Sequence, residues 1–536
     1  MDRSVYERVL SAIQTAPPPR PPRPSAAVIP WRRGRSGDVE VYWVRRSPQL
    51  RFMGGWHAFP GGGLSRRDAA IDVATAPRGT SKDTFTPAEP AGEGAETEPQ
   101  EPDLVPGLVI CALRELFEET GLLLAEEVLT PGNPAADRAP RLSAARRRLL
   151  DGEAEFATLV AEEGWTLSAS RLRFAGRWLT PKVAPMRFDN RFFLLEWDES
   201  RRPQPEIEGS ELVHGEWIAP AAALDRWRRG EVIAAPPILH ILEVLAEDGP
   251  DAGLERLRDT RETHLGPFRR IEFRPGVTLL PLRTPTLPPA THTNAFLLGH
   301  RQAVLIDPAT PFEDEIERLR GALTAARGRG LEIIAIWLTH HHPDHIGAVE
   351  TLRRELDVPV CAHPLSAEPL ARQGIRIDRE LDDGDRVVLE GDPALPVRIF
   401  HTPGHTRGHL CFYEENTGSL IAGDLISALS TIVIDPPEGD MDAYLDSLRR
   451  MAELAPKTLF PAHGPAVLAA VDKLEEFRRH RLEREAQILA AWRAGKRQPE
   501  EMVADIYPEV PPAIHGVAAR QVQAHLDRLR KLGELG

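Results

Sequence analysis

Cysteine is scarce in this chain: 536 residues carry three, Cys111, Cys361 and Cys411. Three thiols cannot build a disulfide framework, and none sits in a C-x-x-C pair. Small core roles in a reducing compartment are expected. Long apolar runs are missing too. Stretches such as Ile333 to Leu338 reach less than half of the ~20 residues that a membrane span needs, so no span is expected. The opening MDRSVYERVLSAIQ lacks the apolar stretch of a secretory signal. The closing GELG lacks a Ser-Lys-Leu type peroxisomal address. A cytoplasmic location is the expectation. Positive charge is in deficit, 66 Lys+Arg against 80 Asp+Glu for a net −14. That disfavours broad non-specific nucleic-acid binding and leaves a local basic face open. No internal repeat of solenoid period occurs.

Proline, by contrast, is abundant at 50 residues, and it marks linkers and loops. The 42% of hydrophobic residues suffices for real cores, and the length favours two to four domains. Residues 3–14 read as a short helix. The run Pro17 to Pro24 then forces an extended linker, so 1–24 is taken as a helix and Pro-rich linker. Strand-like AAVIPW and VEVYWVRR follow. Residues about 71–106 hold almost no large apolar side chains and are expected to be a disordered insertion. Leu108 to Glu127 is predicted helical, with Leu113, Leu116, Phe117 and Thr120 on one stripe. Residues 138–163 are predicted as a second helical insertion, its Arg146, Arg147 and Arg148 forming a solvated face. Strands resume over Gly176 to Trp197. A change of character over 246–268 reads as a linker, and strands alternate with helices beyond it. The first domain is therefore placed at 25–245, a second at 269–466 and a helical tail at 467–536.

Two constellations carry chemistry. The first is FPGGG, Phe59 to Gly63, followed much later by Arg114-Glu115-Leu116-Phe117-Glu118-Glu119-Thr120-Gly121-Leu122. On a helix, Glu115, Glu118 and Glu119 project together. Three adjacent carboxylates repel unless a cation holds them. Oxygen-only ligands suit Mg²⁺ or Mn²⁺, which also clamp diphosphates. The plainer alternative is an acidic solvated helix face. The pattern resembles the Nudix hydrolase box, G-x5-E-x7-R-E-U-x-E-E-x-G-U with U a bulky apolar residue. Gly62, Arg114, Glu115, Leu116, Glu118, Glu119, Gly121 and Leu122 fit it. Two departures stand out: the first glutamate is replaced by Asp68, and the seven-residue spacer has become 69–113. Upstream, Arg46-Ser47-x3-Arg51-x3-Gly55-x3-Phe59-Pro60-Gly61-Gly62 is similar to the signature of Nudix coenzyme A diphosphatases. The usual Leu-Leu-Thr before it is replaced by Tyr42-Trp43-Val44. RWLTPKVAPMRFDNRFF, Arg177 to Phe193, also resembles the peroxisomal members of that subgroup. The resemblance implies an α/β/α sandwich. It also implies Glu115, Glu118 and Glu119 as catalytic metal ligands, with Arg46 and Arg51 contacting substrate phosphates. Ordinary edge and loop charges are the alternative for the two arginines. Glu211 is a further candidate acid.

The second constellation follows an apolar strand: Thr339-His340-His341-His342-Pro343-Asp344-His345. Histidines two apart at a strand end aim at one point, and the Asp and His that follow turn toward a neighbouring one. This resembles the H-x-H-x-D-H motif of the metallo-β-lactamase superfamily. HTPGHTRGH then supplies His405, IAGDLI supplies Asp424 and FPAHGP supplies His463. The resemblance implies an αββα sandwich with two metals, Zn²⁺ or else Mn²⁺ or Fe²⁺. One would sit on His340, His342 and His405, the other on Asp344, His345 and His463, with Asp424 bridging. A metal-activated hydroxide would be the nucleophile on a thioester or other ester, and Asp344 is counted among the catalytic residues. Asp307 is expected to support the histidines, and His341 and His409 are expected to be structural. The segment from HRLEREAQIL to HLDRLRKLG looks like the winged-helix extension of one metallo-β-lactamase subgroup.

The expected molecule is thus a multi-domain α/β, two-headed metal-dependent hydrolase of small molecules. Its substrates are coenzyme A-like or nucleoside diphosphate-linked compounds and thioesters, with no membrane partner. Two alternatives stay open: a ribonuclease-type head whose tail contacts RNA, and a Nudix half that senses a ligand without catalysis.

Overall fold

The computed structural model describes residues 21–35, 37–50, 53–75, 77, 104–129, 135–180, 186–197, 204–259, 271–508, 510 and 514–535. The expected N-terminal helix, most of the expected insertion, and Arg51 lie outside them. The chain divides into two compact units, with the boundary in sequence between residues 269 and 270.

The first unit is built on one sheet. Its strands are β1 (Arg23–Arg33), β2 (Val39–Arg46), β3 (His57–Ala58), β4 (Gly61–Gly63), β5 (Leu172–Leu179), β6 (Phe188–Glu196) and β7 (Leu212–Ile218). The order is β3-β2-β1-β6-β5, with β4 also on β1 and β7 also on β2. β1 and β6 run parallel; the other pairs are antiparallel. Period-two alternation feeds two cores. Ala26, Val28, Phe193 and Leu195 pack beneath helix α1 (Leu104–Thr120) and its neighbours α2 (Ala135–Leu150) and α3 (Phe156–Glu163). Ala27, Ile29, Trp31, Phe192 and Leu194 pack on the opposite face against α4 (Pro220–Arg228) and α5 (Pro236–Glu247). Helices on both faces make the expected α/β/α sandwich.

Several expectations need correction. β1 begins at Arg23, inside the stretch read as linker, because its first residues pair with Phe188 and Asp189 of β6. The expected insertion is ordered at both ends: Thr75 bridges Ser168, and α1 starts at Leu104. The expected 246–268 linker is helical through Arg258, with Leu257 buried in the second core. Arg146 is not solvated. It is buried, and its Nε donates to the Glu118 carbonyl at 3.0 Å. An arginine there satisfies a C-terminal helix carbonyl and suits the helix dipole.

The second unit stacks two sheets. The first holds β8 (Ile271–Arg274), β9 (Val277–Arg283), β10 (His292–Gly299), β11 (Gln302–Ile306), β12 (Glu332–Trp337), β13 (Val360–Ala362) and β14 (Arg379–Glu380), in that spatial order. The second holds β15 (Arg386–Leu389), β16 (Leu395–His401), β17 (Leu410–Glu414), β18 (Ser419–Gly423) and β19 (Thr458–Pro461). Phe296 meets Phe460 edge-on at 6.1 Å, and Trp337 meets Phe412 at 5.1 Å, joining the inner faces. Helices α6 (Glu313–Gly328) and α7 (Val349–Leu356) contact β9 and β12. On the far face of the second sheet, Leu420, Ala422 and Leu459 pack with α8 (Met441–Leu454) and α9 (Ala470–Arg493). This is the expected αββα sandwich. The tail adds α10 (Pro499–Ile506) and α11 (His515–Lys531), which share a core with Ile488 of α9. Along α11, Ala518, Val522, Leu526 and Leu529 are buried, and Leu532 just beyond it is exposed. All three cysteines are free and buried. Among the described residues, no helix is long and apolar enough to cross a membrane.

Two candidate metal centres

In the first unit the glycine strand β4 passes very close to α1. A Cβ on Gly62 would lie 2.3 Å from a Glu115 carboxylate oxygen, so a side chain here would push that carboxylate aside, and glycine leaves it in place. The Gly61 amide donates to Glu119 Oε2 at 2.8 Å. Arg114 gathers the acids. It forks onto both Asp68 oxygens at 2.8 and 3.0 Å, and donates to Glu115 at 2.8 Å and Glu118 at 2.9 Å. Asp68 opens a one-turn 3-10 helix and accepts from the Ser65 amide at 2.8 Å. The shorter acid and the lengthened spacer therefore leave the arginine fully partnered.

Burial pushes the Glu115 carboxyl up to about 7, with Arg114 opposing and Glu118 adding to the rise. Burial also raises Glu118, and raises Glu119 well above the carboxylate range with Glu115 contributing. Carboxyls in this position are brought back to the charged form by a cation. Among the described residues, the three groups whose ligand atoms converge within 4.8 Å all lie in the second unit. Glu115, Glu118 and Glu119 are thus held near one another by Arg114 and Gly61 and do not themselves close a ligand set. Oxygen donors of this type suit Mg²⁺ or Mn²⁺. Arg46 sits at the end of β2; its charge falls on Glu119, and its Nε is buried without a hydrogen-bond partner. The Ser47 amide holds the Glu211 carbonyl at 2.7 Å, and the charge of Glu211 reaches Glu118 and Glu119. A cavity of about 670 Å³ borders the cluster, lined among others by Arg23, Arg67, Arg114, Glu118, Phe156 and Phe188.

In the second unit, β12 ends in the histidine motif. His340, His342 and His405 present ligand atoms within 4.8 Å of one another, as do Asp344, His345 and His463, and also His340, His345 and Asp424. Each of the three groups could hold a metal ion. Around them, backbone and side-chain acceptors fix the rings. His405 Nδ1 donates to the Val433 carbonyl at 2.7 Å, His463 Nδ1 to the His292 carbonyl at 3.1 Å, and His345 Nδ1 to Asp307 Oδ2 at 2.8 Å. His340 Nδ1 meets Thr339 Oγ1 at 3.0 Å. Each leaves Nε2 facing the cluster. His342 turns the other way and offers Nδ1, 3.1 Å from His340 Nε2 and 2.9 Å from His405 Nε2.

Asp307 supports the motif as expected. Its two oxygens also accept from the Thr339 amide at 2.8 Å and hydroxyl at 2.5 Å, and its own backbone takes φ +46°. His409 is fully buried; its Nε2 accepts the Asp424 amide at 3.0 Å and its Nδ1 meets Thr402 Oγ1 at 2.8 Å. Asn294 donates to the Pro461 and Gly464 carbonyls, bracing the loop that carries His463. Burial, then neighbouring imidazoles, hold His340 and His342 well below the usual histidine range, in the neutral form that ligates metals. His345 Nε2 and Asp424 Oδ1 are buried without hydrogen-bond partners. That pairing of orphaned atoms, inside a nitrogen-rich set with a central carboxylate, fits a dinuclear transition-metal site. The carbonyls of Val433 and His292 were not legible from sequence, since every residue carries one. Thr339 carries one signal, its place directly before His340 in the motif.

Comparison with known proteins agrees with the expected order of domains. Residues 7–245 match the NUDT19 Nudix domain, 288–463 the metallo-beta-lactamase superfamily, and 499–534 the beta-lactamase associated winged helix domain. A Drosophila melanogaster beta-lactamase-like protein 2 homolog is 32% identical over 254 residues, 45% of this chain and 84% of that protein. An atrochrysone carboxyl ACP thioesterase of Aspergillus chevalieri is 29% identical over 231 residues, 43% and 70% of the two chains. Among solved structures, a NUDIX hydrolase from Alicyclobacillus acidocaldarius is 29% identical, covering 42% of this chain and 91% of its own, at a TM-score of 0.34. The chain is a metal-dependent hydrolase that belongs to the metallo-β-lactamase superfamily, with a Nudix domain ahead of that fold and a winged-helix domain after it.

Proposed function

We propose that both heads are active and that they act on related acyl and diphosphate chemistry. In the Nudix head, Glu115, Glu118 and Glu119 would hold Mg²⁺ or Mn²⁺, which neutralises diphosphate oxygens when bound. Arg46, and Arg51 beyond the described residues, would bind the phosphates of a coenzyme A-like or nucleoside diphosphate-linked substrate. In the second head, His340, His342 and His405 would hold one Zn²⁺, with Asp344, His345 and His463 holding another and Asp424 between them. Bound there, the metals supply Lewis acidity and activate water for attack on an ester carbonyl. The protein's own contribution is orientation. Asp307, His292 and Val433 fix the rings of His345, His463 and His405, and His409 fixes Asp424. Such outer partners set both tautomer and ligand basicity.

The observation that carries this reading is the convergence of seven side chains on one cluster, with His345 Nε2 and Asp424 Oδ1 left for a cation. The likeness to a protein named as a thioesterase favours a thioester over other esters. A cytoplasmic setting goes with the proposal. The test is mass spectrometry of products from acetyl-coenzyme A, free coenzyme A and a short RNA, with Mg²⁺ alone and with Zn²⁺ or Mn²⁺ added. Release of a phosphopantetheine fragment together with loss of the acetyl group is the expected result. Cut RNA with untouched coenzyme A would reject the proposal.

A further inference from the structure

The segment Ser430–Pro436 has no ladder of its own. Its backbone groups find partners elsewhere, as buried groups must. The Ile432 carbonyl accepts from Arg481 Nη2 of α9, and the Ile434 amide donates to Gln521 Oε1 of α11 at 2.9 Å. Arg520 of α11 bonds the Asp435 carboxylate and the Pro436 carbonyl. Between the first two anchors lies Val433, whose carbonyl receives His405 Nδ1. Arg481 is 1% exposed and also reaches Tyr444, its guanidinium 5.5 Å from the ring centre. The Tyr444 hydroxyl donates to the Leu425 carbonyl at 2.8 Å, one residue beyond Asp424. Two connections from one arginine of α9 therefore end beside two residues of the histidine cluster.

We infer that α9 and the tail helix α11 together are a positioning device for the second metal centre, with Arg481 and Gln521 holding the Val433 carbonyl where it orients His405. A surface extension held by packing alone would not direct a buried arginine and a buried glutamine at the two residues flanking one carbonyl. The inference rests on the reading of His405 and Asp424 as metal ligands.

The experiment is cobalt binding to the full chain, followed by the visible ligand-field spectrum and by competition with a chelator. The set is Arg481→Met, Arg481→Lys, Gln521→Met and His405→Ala. Loss of an outer partner typically weakens metal affinity 10- to 100-fold, so Arg481→Met and Gln521→Met should each release cobalt at about tenfold lower chelator and change the spectrum. Arg481→Lys, which keeps a donor, should recover part of the loss. Gln521→Met removes one acceptor only and keeps the test valid should Arg481→Met not fold. Parental affinity and spectrum in folded Gln521→Met, with His405→Ala impaired, would overturn the positioning role. Parental behaviour in His405→Ala itself would overturn the ligand reading beneath it.

Discussion

Arg114 makes hydrogen bonds to Asp68, Glu115, Glu118 and the Gly63 carbonyl, so the acidic cluster of the first unit is organised around one cation of the protein's own. Removing its bidentate partner should loosen that arrangement. Asp68→Asn is expected to cost about 2 kcal/mol, the scale of a hydrogen bond to a charged group. Urea unfolding followed by tryptophan fluorescence would measure it, since eight of the ten tryptophans, all but Trp337 and Trp492, lie before residue 228. A second residue-scale prediction concerns pH. Burial alone would raise the Asp189 carboxyl, but Arg177 and Arg191 hold it below the usual range, through contacts of 2.7 and 2.6 Å. A carboxyl depressed by folding stabilises above its unfolded value and loses that contribution as pH falls through its folded one. Asp189→Asn should therefore be about 3 kcal/mol less stable than the parent at pH 7. The gap should narrow steadily below about pH 3.9, the unfolded value. A gap that stays constant down to pH 2.5 would contradict the assignment.

At the scale of elements, β4 and α1 depend on their close approach at Gly62. Gly62→Ala forces the Glu115 carboxylate aside, and a misplacement of about 1 Å can cost about 100-fold in rate. Magnesium-dependent diphosphate hydrolysis should fall by that order, while cobalt binding by the histidine cluster stays at the parental level. Elements were legible where their periodicity was strong. Leu113, Leu116, Phe117 and Thr120 marked the buried face of α1 in advance, and AAVIPW and VEVYWVRR marked β1 and β2. The ligand-type residues were legible because histidines and acids at such spacing are rare outside metal sites. Arg146 was misread because consecutive residues on a helix turn about 100° apart, which points Arg147 to solvent and its neighbour inward. The helices after residue 248 were hidden by Gly249, Pro250 and Gly253, while Leu254 and Leu257, three apart, quietly supplied their anchor. Carbonyl acceptors such as Val433 leave no sequence signal at all.

At the scale of the molecule, each unit has its own core and its own centre. Changes with no shared partners act additively. Glu118→Gln is expected to abolish a magnesium-dependent activity and leave the zinc-supported one, and His342→Ala the reverse. Assay of both variants on both substrates checks this. An activity that survives Glu118→Gln unchanged would make the Nudix half a ligand sensor, and loss of both activities in either variant would make the heads interdependent.

The burial of Cys111, Cys361 and Cys411 has a practical consequence. Thiols raised by burial, as Cys361 is to about 11, react slowly with maleimides. The native chain is thus a silent background for labelling. One cysteine introduced on the surface of each unit would carry a pair of spin labels or fluorophores, and the spacing of the two heads, with and without each substrate, would become a distance read directly in solution.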